Sequence, residues 1–496
     1  MKKLIFFYGL VFLTIITQNI KAQDEKLKNE GANYNPNYRY SEAQLKSDFE
    51  VIKFILEKAH PSLYWYTSKN TWQKKTDSTF SLLNRSMTER EFYQIIAPWI
   101  ASIHCGHTTI TPSTFYQNQG KRLPLDFYFR DEKAYIFHNY TQQTEIKQGA
   151  EILSINGRPM FEILRKMLPA LSSDAINSQG KWATLQTDFA NYYDLLIEQP
   201  DTFLLTCKEL ETEKIVNYKI PAQDNDFLRQ YEKRYVEELQ TRKALNFNIL
   251  KKKNTAILTI NSFLPLDIKN SKQKFKPFIK KAFQQIEKQN IENLIIDLRE
   301  NIGGEMLFVN ELYSYVAEKP YKFVDNILVS TDKNLPKLQA TDLTKSTVHN
   351  PKHVQATDSG AYIVKETFYP FLKLQKPKKN AFKGKIYMLI SKKTFSAAAL
   401  CASLFYAHKR ATFIGEETSG GANGLTGGDF IDIALPQTNL QLEVPIERWS
   451  KKIYNYPYKN RGIVPHHIVI PNLEEELKNS KDKVLEYTLD LITEKK

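Results

Sequence analysis

Two short runs, Leu294-Ile295-Ile296-Asp297-Leu298 and Ile386-Tyr387-Met388-Leu389-Ile390, are apolar at nearly every position. A strand that alternates apolar and polar residues buries one face. A run that is apolar throughout buries both, and only a sheet covered on two sides allows that. A third strand pattern, Ala256-Ile257-Leu258-Thr259-Ile260, comes before them. Between the strands, Phe275, Phe278, Ile279, Phe283 and Ile286 recur at helical spacing, and helical patterns also cover Glu311 to Val316 and Ala397 to His408. Alternating strands and helices predict an α/β domain around a buried sheet, placed at residues 251–496. A Lys-rich stretch, 320–382, interrupts it and is expected to cover the cleft at the carboxyl edge of the strands.

The upstream half reads differently. Ser41 with Gln44 and Thr88 with Glu91 form capping boxes, each opening an amphipathic run. Leu45, Phe49, Ile52, Leu56 and Ala59 share one face, as do Phe92, Ile95, Trp99 and Ile103, with Pro98 expected to kink the second helix. Residues 23–115 are therefore read as a helical domain leading into a His107 segment. Residues 116–225 hold strand-like runs and an Asn156-Gly157 turn, and read as a β module. A charged linker helix is expected within 226–250.

Lys2 and Lys3 precede an apolar stretch, and Ala22 closes a small-residue cleavage site. Residues 1–22 thus read as a signal peptide, with the mature chain periplasmic or extracellular. Past that stretch no apolar run approaches the ~18 residues of a membrane span, so no stable membrane insertion is expected. The net charge of +14 comes from scattered lysines. With neither zinc-finger spacing nor aromatic-basic stacking patterns, no nucleic-acid partner is expected. Three widely spaced cysteines, Cys105, Cys207 and Cys401, exclude a disulfide scaffold and a C-x-x-C pair.

Several segments carry candidate chemistry. Ser396 follows a buried strand and opens a helix, where free N–H groups and the helix dipole support developing negative charge. It serves equally well there as an N-cap. Gly303-Gly304, just after Asp297-Leu298-Arg299, could bring backbone N–H groups close to a ligand, or could simply make a tight turn. His107 lies past a helix end, whose carbonyls favour a cationic imidazole and so a proton acceptor near the ordinary His value. His104 and His107 lack a third ligand for a metal. Cys105 does not stand at a helix N-terminus that would activate its thiol.

Taken in order, these blocks resemble the C-terminal processing (tail-specific) serine peptidases. Ile295 to Gly304 looks like that family's strand and oxyanion segment, and Thr394-Phe395-Ser396-Ala397-Ala398 like its nucleophile segment. Gly415-Glu416-Glu417-Thr418 with Gly420-Gly421, and Gly462-Ile463-Val464-Pro465, match two later blocks. Cys105-Gly106-His107-Thr108 matches the early block, and Gly149 to Gly157 is similar to half of a PDZ-like module. The resemblance implies a ClpP/crotonase-type α/β peptidase core with an inserted PDZ-like β module that binds peptide ends. It implies neither metal nor organic cofactor, and protein or peptide substrates. Ser396 would be the nucleophile and His107 the general base, with Gly303 or Gly304 and Ala397 as oxyanion donors. The stretch Ser419-Gly420-Gly421-Ala422-Asn423 holds no Lys, which favours the tricorn-like Ser-His branch over the Ser-Lys branch. Gly106 stands where that branch has Ser, Lys459 where it has Glu, and His466 where it has Asp. The group that orients His107 is thus missing or supplied elsewhere. The alternative is an inactive relative that binds peptides or apolar ligands.

Overall fold

The two all-apolar runs occupy the centre of a six-stranded sheet. In a computed structural model, described over residues 34–118, 120–228, 243–330, 350–358, 360–478 and 482–494, the order is His467–Ile468, Thr412–Gly415, Lys385–Ile390, Asn293–Asp297, Thr255–Ile260, Leu245–Leu250. All neighbours are parallel except the last pair. Alternate residues of the central strands enter different cores. Leu294, Ile296, Met388 and Ile390 join the main core. Ile295, Tyr387 and Leu389 meet Val484 and Ile492 of the helix Lys483–Glu494 on the other face. Coverage on both faces is why neither run alternates.

The sequence assigned 226–250 to a linker helix. Leu245–Leu250 is instead the edge strand of this sheet, antiparallel to Thr255–Ile260. Most of the remaining linker, and the expected signal sequence, lie outside the described residues.

A second sheet surrounds a long hairpin, Gly424–Ala434 with Gln441–Ser450. Asn326–Val329 pairs with the hairpin's second strand, and Tyr362–Val364 and Val354–Ala356 continue outward. The described parts of 320–382 are thus built into a sheet. Beside the other end of that same second strand lies Thr109–Thr111, in register from Thr109 with Glu443 to Thr111 with Gln441. That pairing carries the His107 segment to the C-terminal half.

The helices begin at both expected capping boxes. A helix the sequence reading did not single out, Lys69–Ser81, adds Trp72, which stacks on Trp99 at 4.9 Å; Trp99 in turn stacks on Phe49 at 4.4 Å. The carboxylate of Asp48, wholly buried, accepts the N–H groups of Gln437 and Thr438, docking the helical domain on the hairpin turn.

Residues 116–225 are a five-stranded path, Leu125–Arg130, Lys133–Asn139, Glu151–Ile155, Thr202–Lys208, Ile215–Pro221. They also contain two helices that the sequence did not reveal, Met160–Met167 and Gln179–Leu196. The second breaks its geometry at Asp188, so its apolar positions drift off one face. It lies along Leu125–Arg130, and the space between is filled: Phe189 sits 4.5 Å from Phe127 and 5.8 Å from Phe129, and Trp182 5.8 Å from Phe129.

Candidate active site

The parallel sheet delivers two loops to one place. The first leaves Asn293–Asp297 and runs to Gly304; the second leaves Lys385–Ile390 and ends at Ser396. They are joined by hydrogen bonds. Ser391 Oγ donates to the Arg299 carbonyl at 2.5 Å, Thr394 Oγ1 to the Leu298 carbonyl at 3.0 Å, and Phe395 N–H to the Asn301 carbonyl at 3.2 Å. Lys393 pairs with Glu300 at 2.9 Å.

Ser396 begins the helix Ser396–Ala407 with φ at +49°, a left-handed conformation that residues other than glycine rarely adopt. Its neighbours leave room for this. Gly303 (φ +116°) faces it, and a Cβ there would lie 2.6 Å from Ser396 Cβ. A Cβ on Gly304 would lie 2.3 Å from the Phe263 backbone, and one on Gly420 would lie 2.4 Å from Ala399 Cβ.

His107 arrives from the other half of the chain. Its Nε2 lies 3.0 Å from Ser396 Oγ. The imidazole stacks on Phe395, centroids 4.5 Å apart and planes within 20°, with Phe430 on another side at 6.2 Å. A register shift between Gly427 and Phe430 brings Phe430 there. His107 Nδ1 is enclosed without a hydrogen-bond partner among the described residues. Burial, unopposed by any anion, pushes the imidazole down to about 4. The expectation of a helix end favouring the cation therefore fails here: desolvation dominates.

Of the three candidate oxyanion donors, the N–H of Gly303 is held at 2.9 Å by Asn301 Oδ1. Asn301 is itself fixed, its Nδ2 donating to the Ile260 carbonyl at 3.0 Å. Among the described residues no hydrogen bond engages the N–H of Gly304 or Ala397. The two later glycine blocks meet each other: Gly421 bridges to Gly462, and Glu417 accepts the Gly462 N–H at 2.8 Å and pairs with Arg461.

Other residues singled out by sequence fall away from this centre. Lys459 is exposed. His466 Nδ1 accepts the Phe413 N–H at 2.9 Å while its ring stacks on Tyr406. Burial pushes the Cys105 thiol up to about 12, far from a thiolate. Among the described residues no cluster of three His, Cys, Asp or Glu could hold a metal.

Two buried carboxyls border the site and were not foreseen. Glu447 stands opposite Gly427, whose position would put a Cβ 4.0 Å from His107 Nε2. It accepts from Tyr369 Oη at 3.0 Å and Trp449 Nε1 at 2.9 Å, and burial, then Asp429, pushes it up to about 8. The alternation Ile431, Ile433, Leu435 and Leu440, Leu442, Val444, Ile446 announces the hairpin that carries it. Asp174 accepts the N–H of Gly106 at 2.6 Å. No local pattern marks Asp174, because its partner is 68 residues away.

Residues 254–469 match the sequence model of peptidase family S41. No curated protein sequence matches significantly. The fold is similar to a crystal structure of a CPAF mutant (TM-score 0.64, 13% identity, 90% of this chain and 96% of the other). It is also similar to mature CPAF (0.61, 14%, 90% and 96%) and to mature CPAF complexed with lactacystin (0.60, 14%, 91% and 97%). The matched stretch, residues 254–469, spans the α/β domain in which two sheet loops meet at the serine-bearing helix, and that part of the chain is similar to peptidase family S41.

Proposed function

We propose that this chain is an exported serine endopeptidase of the S41 type that cleaves protein or peptide substrates with Ser396 as nucleophile and His107 as general base. The observation that carries the reading is the 3.0 Å approach of His107 Nε2 to Ser396 Oγ, within hydrogen-bond reach of the proton to be moved. Ser396 Oγ attacks the scissile carbonyl, its proton passes to Nε2, and the imidazolium returns it to the leaving amine. The tetrahedral oxygen is received by the N–H groups of Gly304 and Ala397; that of Gly303 serves its own turn. Export rests on the sequence of residues 1–22. In the β module, the aromatic rings between Leu125–Arg130 and Gln179–Leu196 take the space a peptide strand would need, so substrate is expected to engage the α/β domain. A fluorophosphonate should label the purified protein at Ser396, and Ser396→Ala should abolish both labelling and casein digestion. Absence of labelling on the wild type would overturn the peptidase reading in favour of a binding protein.

A further inference from the structure

A base whose conjugate acid is pushed down to about 4 is a weak proton acceptor. Attack by Ser396 creates an imidazolium in an apolar enclosure, between Phe395 and Phe430. Such a base depends on being held in place against Ser396, and the sequence offers no orienting group at 106 or 459.

The segment 172–177 is built against the His107 loop from outside. Ser172 Oγ donates to the Thr108 carbonyl at 2.7 Å, and the Ala175 N–H to the His104 carbonyl at 3.1 Å. The Ile176 N–H donates to Asn460 at 2.8 Å, tying the same segment to the late glycine block. Asp174 lies at its centre, 4% exposed. Its Oδ1 takes the peptide N–H that immediately precedes His107, while its Oδ2 is enclosed without a partner among the described residues. The Gly106 peptide has no room to move away: a Cβ there would lie 2.9 Å from the Phe395 ring and 3.2 Å from the Asp174 nitrogen.

Resting on the assignment of His107 as base, we infer that Asp174 is its positioning residue: as a carboxylate it holds the Gly106–His107 peptide, and with it the imidazole, in place through Gly106 N–H. A charge-assisted bond is about twice as strong as a neutral one, so protonating Asp174 loosens the loop that carries His107. The groups that face it are Tyr66, from the turn before Lys69–Ser81, Cys105 of the His107 loop, and the N–H of Gly421. None is a cation; Arg448 lies beyond Tyr66. Burial therefore outweighs the N–H donors and pushes the carboxyl up to about 7. The sign follows: below that value Asp174 is protonated and the site is slow, above it ionised and fast. The imidazole, down near 4, is already neutral across this range.

The test is the rate of fluorophosphonate labelling from pH 5 to 9, with maximal rate and half-saturation measured separately. The wild type should show a limb near pH 7. Asp174→Asn keeps an acceptor for Gly106 N–H but cannot ionise. It should lose the limb and fall roughly 10- to 100-fold in maximal rate at pH 8, the scale of one hydrogen bond to a charged group. Half-saturation and melting temperature should barely change. An unaltered limb in Asp174→Asn, or its disappearance in Glu447→Gln alone, would overturn the inference. Should the Asn variant fold poorly, a wild-type profile without a limb between pH 6 and 8 overturns it equally. His107→Ala separates the two readings: wild-type labelling there means the base itself is misassigned, whereas loss there with an unchanged Asp174→Asn profile defeats only the positioning role.

Discussion

Ser396 is held where a serine is uncomfortable. A left-handed φ on a residue with a Cβ costs roughly 1–3 kcal/mol, and the surrounding loops must hold it there. Gly303 and Gly420 make the space, while Thr394 and Ser391 bind this loop to the Leu298–Arg299 carbonyls. Replacing Ser396 by the residue that prefers this conformation should relieve the strain. Ser396→Gly is expected to abolish fluorophosphonate labelling while raising stability by about 1 kcal/mol, read as a higher denaturation midpoint. A lower midpoint would mean that the hydroxyl's contacts outweigh the strain. The sequence revealed Ser396, Gly304 and His107 because each lies in a short block whose order along the chain is distinctive. It did not reveal Asp174 or Glu447. Their chemistry comes from burial among distant segments, and burial is not written in neighbouring residues.

At the scale of elements, legibility followed periodicity. The two central strands and both capping-box helices were readable, since apolar spacing and cap chemistry are local. Leu245–Leu250 was not, for its residues alternate weakly at a sheet edge and follow a charged run. Gln179–Leu196 was missed because the break at Asp188 rotates its apolar face partway along. That helix also closes the groove of the β module with Phe189, against Phe127 and Phe129. Phe189→Ala should cost about 3–5 kcal/mol of stability, as for other large cavities in packed aromatic cores. Labelling of Ser396 at a temperature well below the melting point should stay at the wild-type level. A labelling defect in the folded variant would show that the module is coupled to the catalytic centre.

Two of the molecule's buried acids, Asp174 and Glu447, border the candidate site. Asp174 and Glu447 are pushed up, to about 7 and about 8, by burial first of all. A carboxyl with a raised folded-state value binds its proton more tightly folded than unfolded. Its contribution is most favourable at low pH and is lost as pH rises from the ordinary carboxylate range through the raised value. Between about pH 4.5 and 8 both groups should therefore erode stability with rising pH. His107 works in the opposite sense at the acid end: pushed down, it erodes stability as pH falls from about 6.5 toward 4. Urea midpoints of the wild type and Glu447→Gln, measured from pH 5 to 8, should diverge in slope. The wild type should lose ground relative to the variant as pH rises, whatever the variant's offset from two altered hydrogen bonds. Parallel curves would show that Glu447 stays out of the titration.

The three-residue strand Thr109–Thr111, zipped onto Gln441–Ser450, has a consequence for timing. His107 is made early in synthesis and Ser396 comes 289 residues later, yet the strand beside His107 finds its partner only once the hairpin beyond both is made. A ribosome must therefore pass residue 450 before any copy can cut. A nascent or prematurely ended chain short of that point lacks the strand that clamps His107 beside Ser396, so connectivity alone sets the order in which the site is assembled.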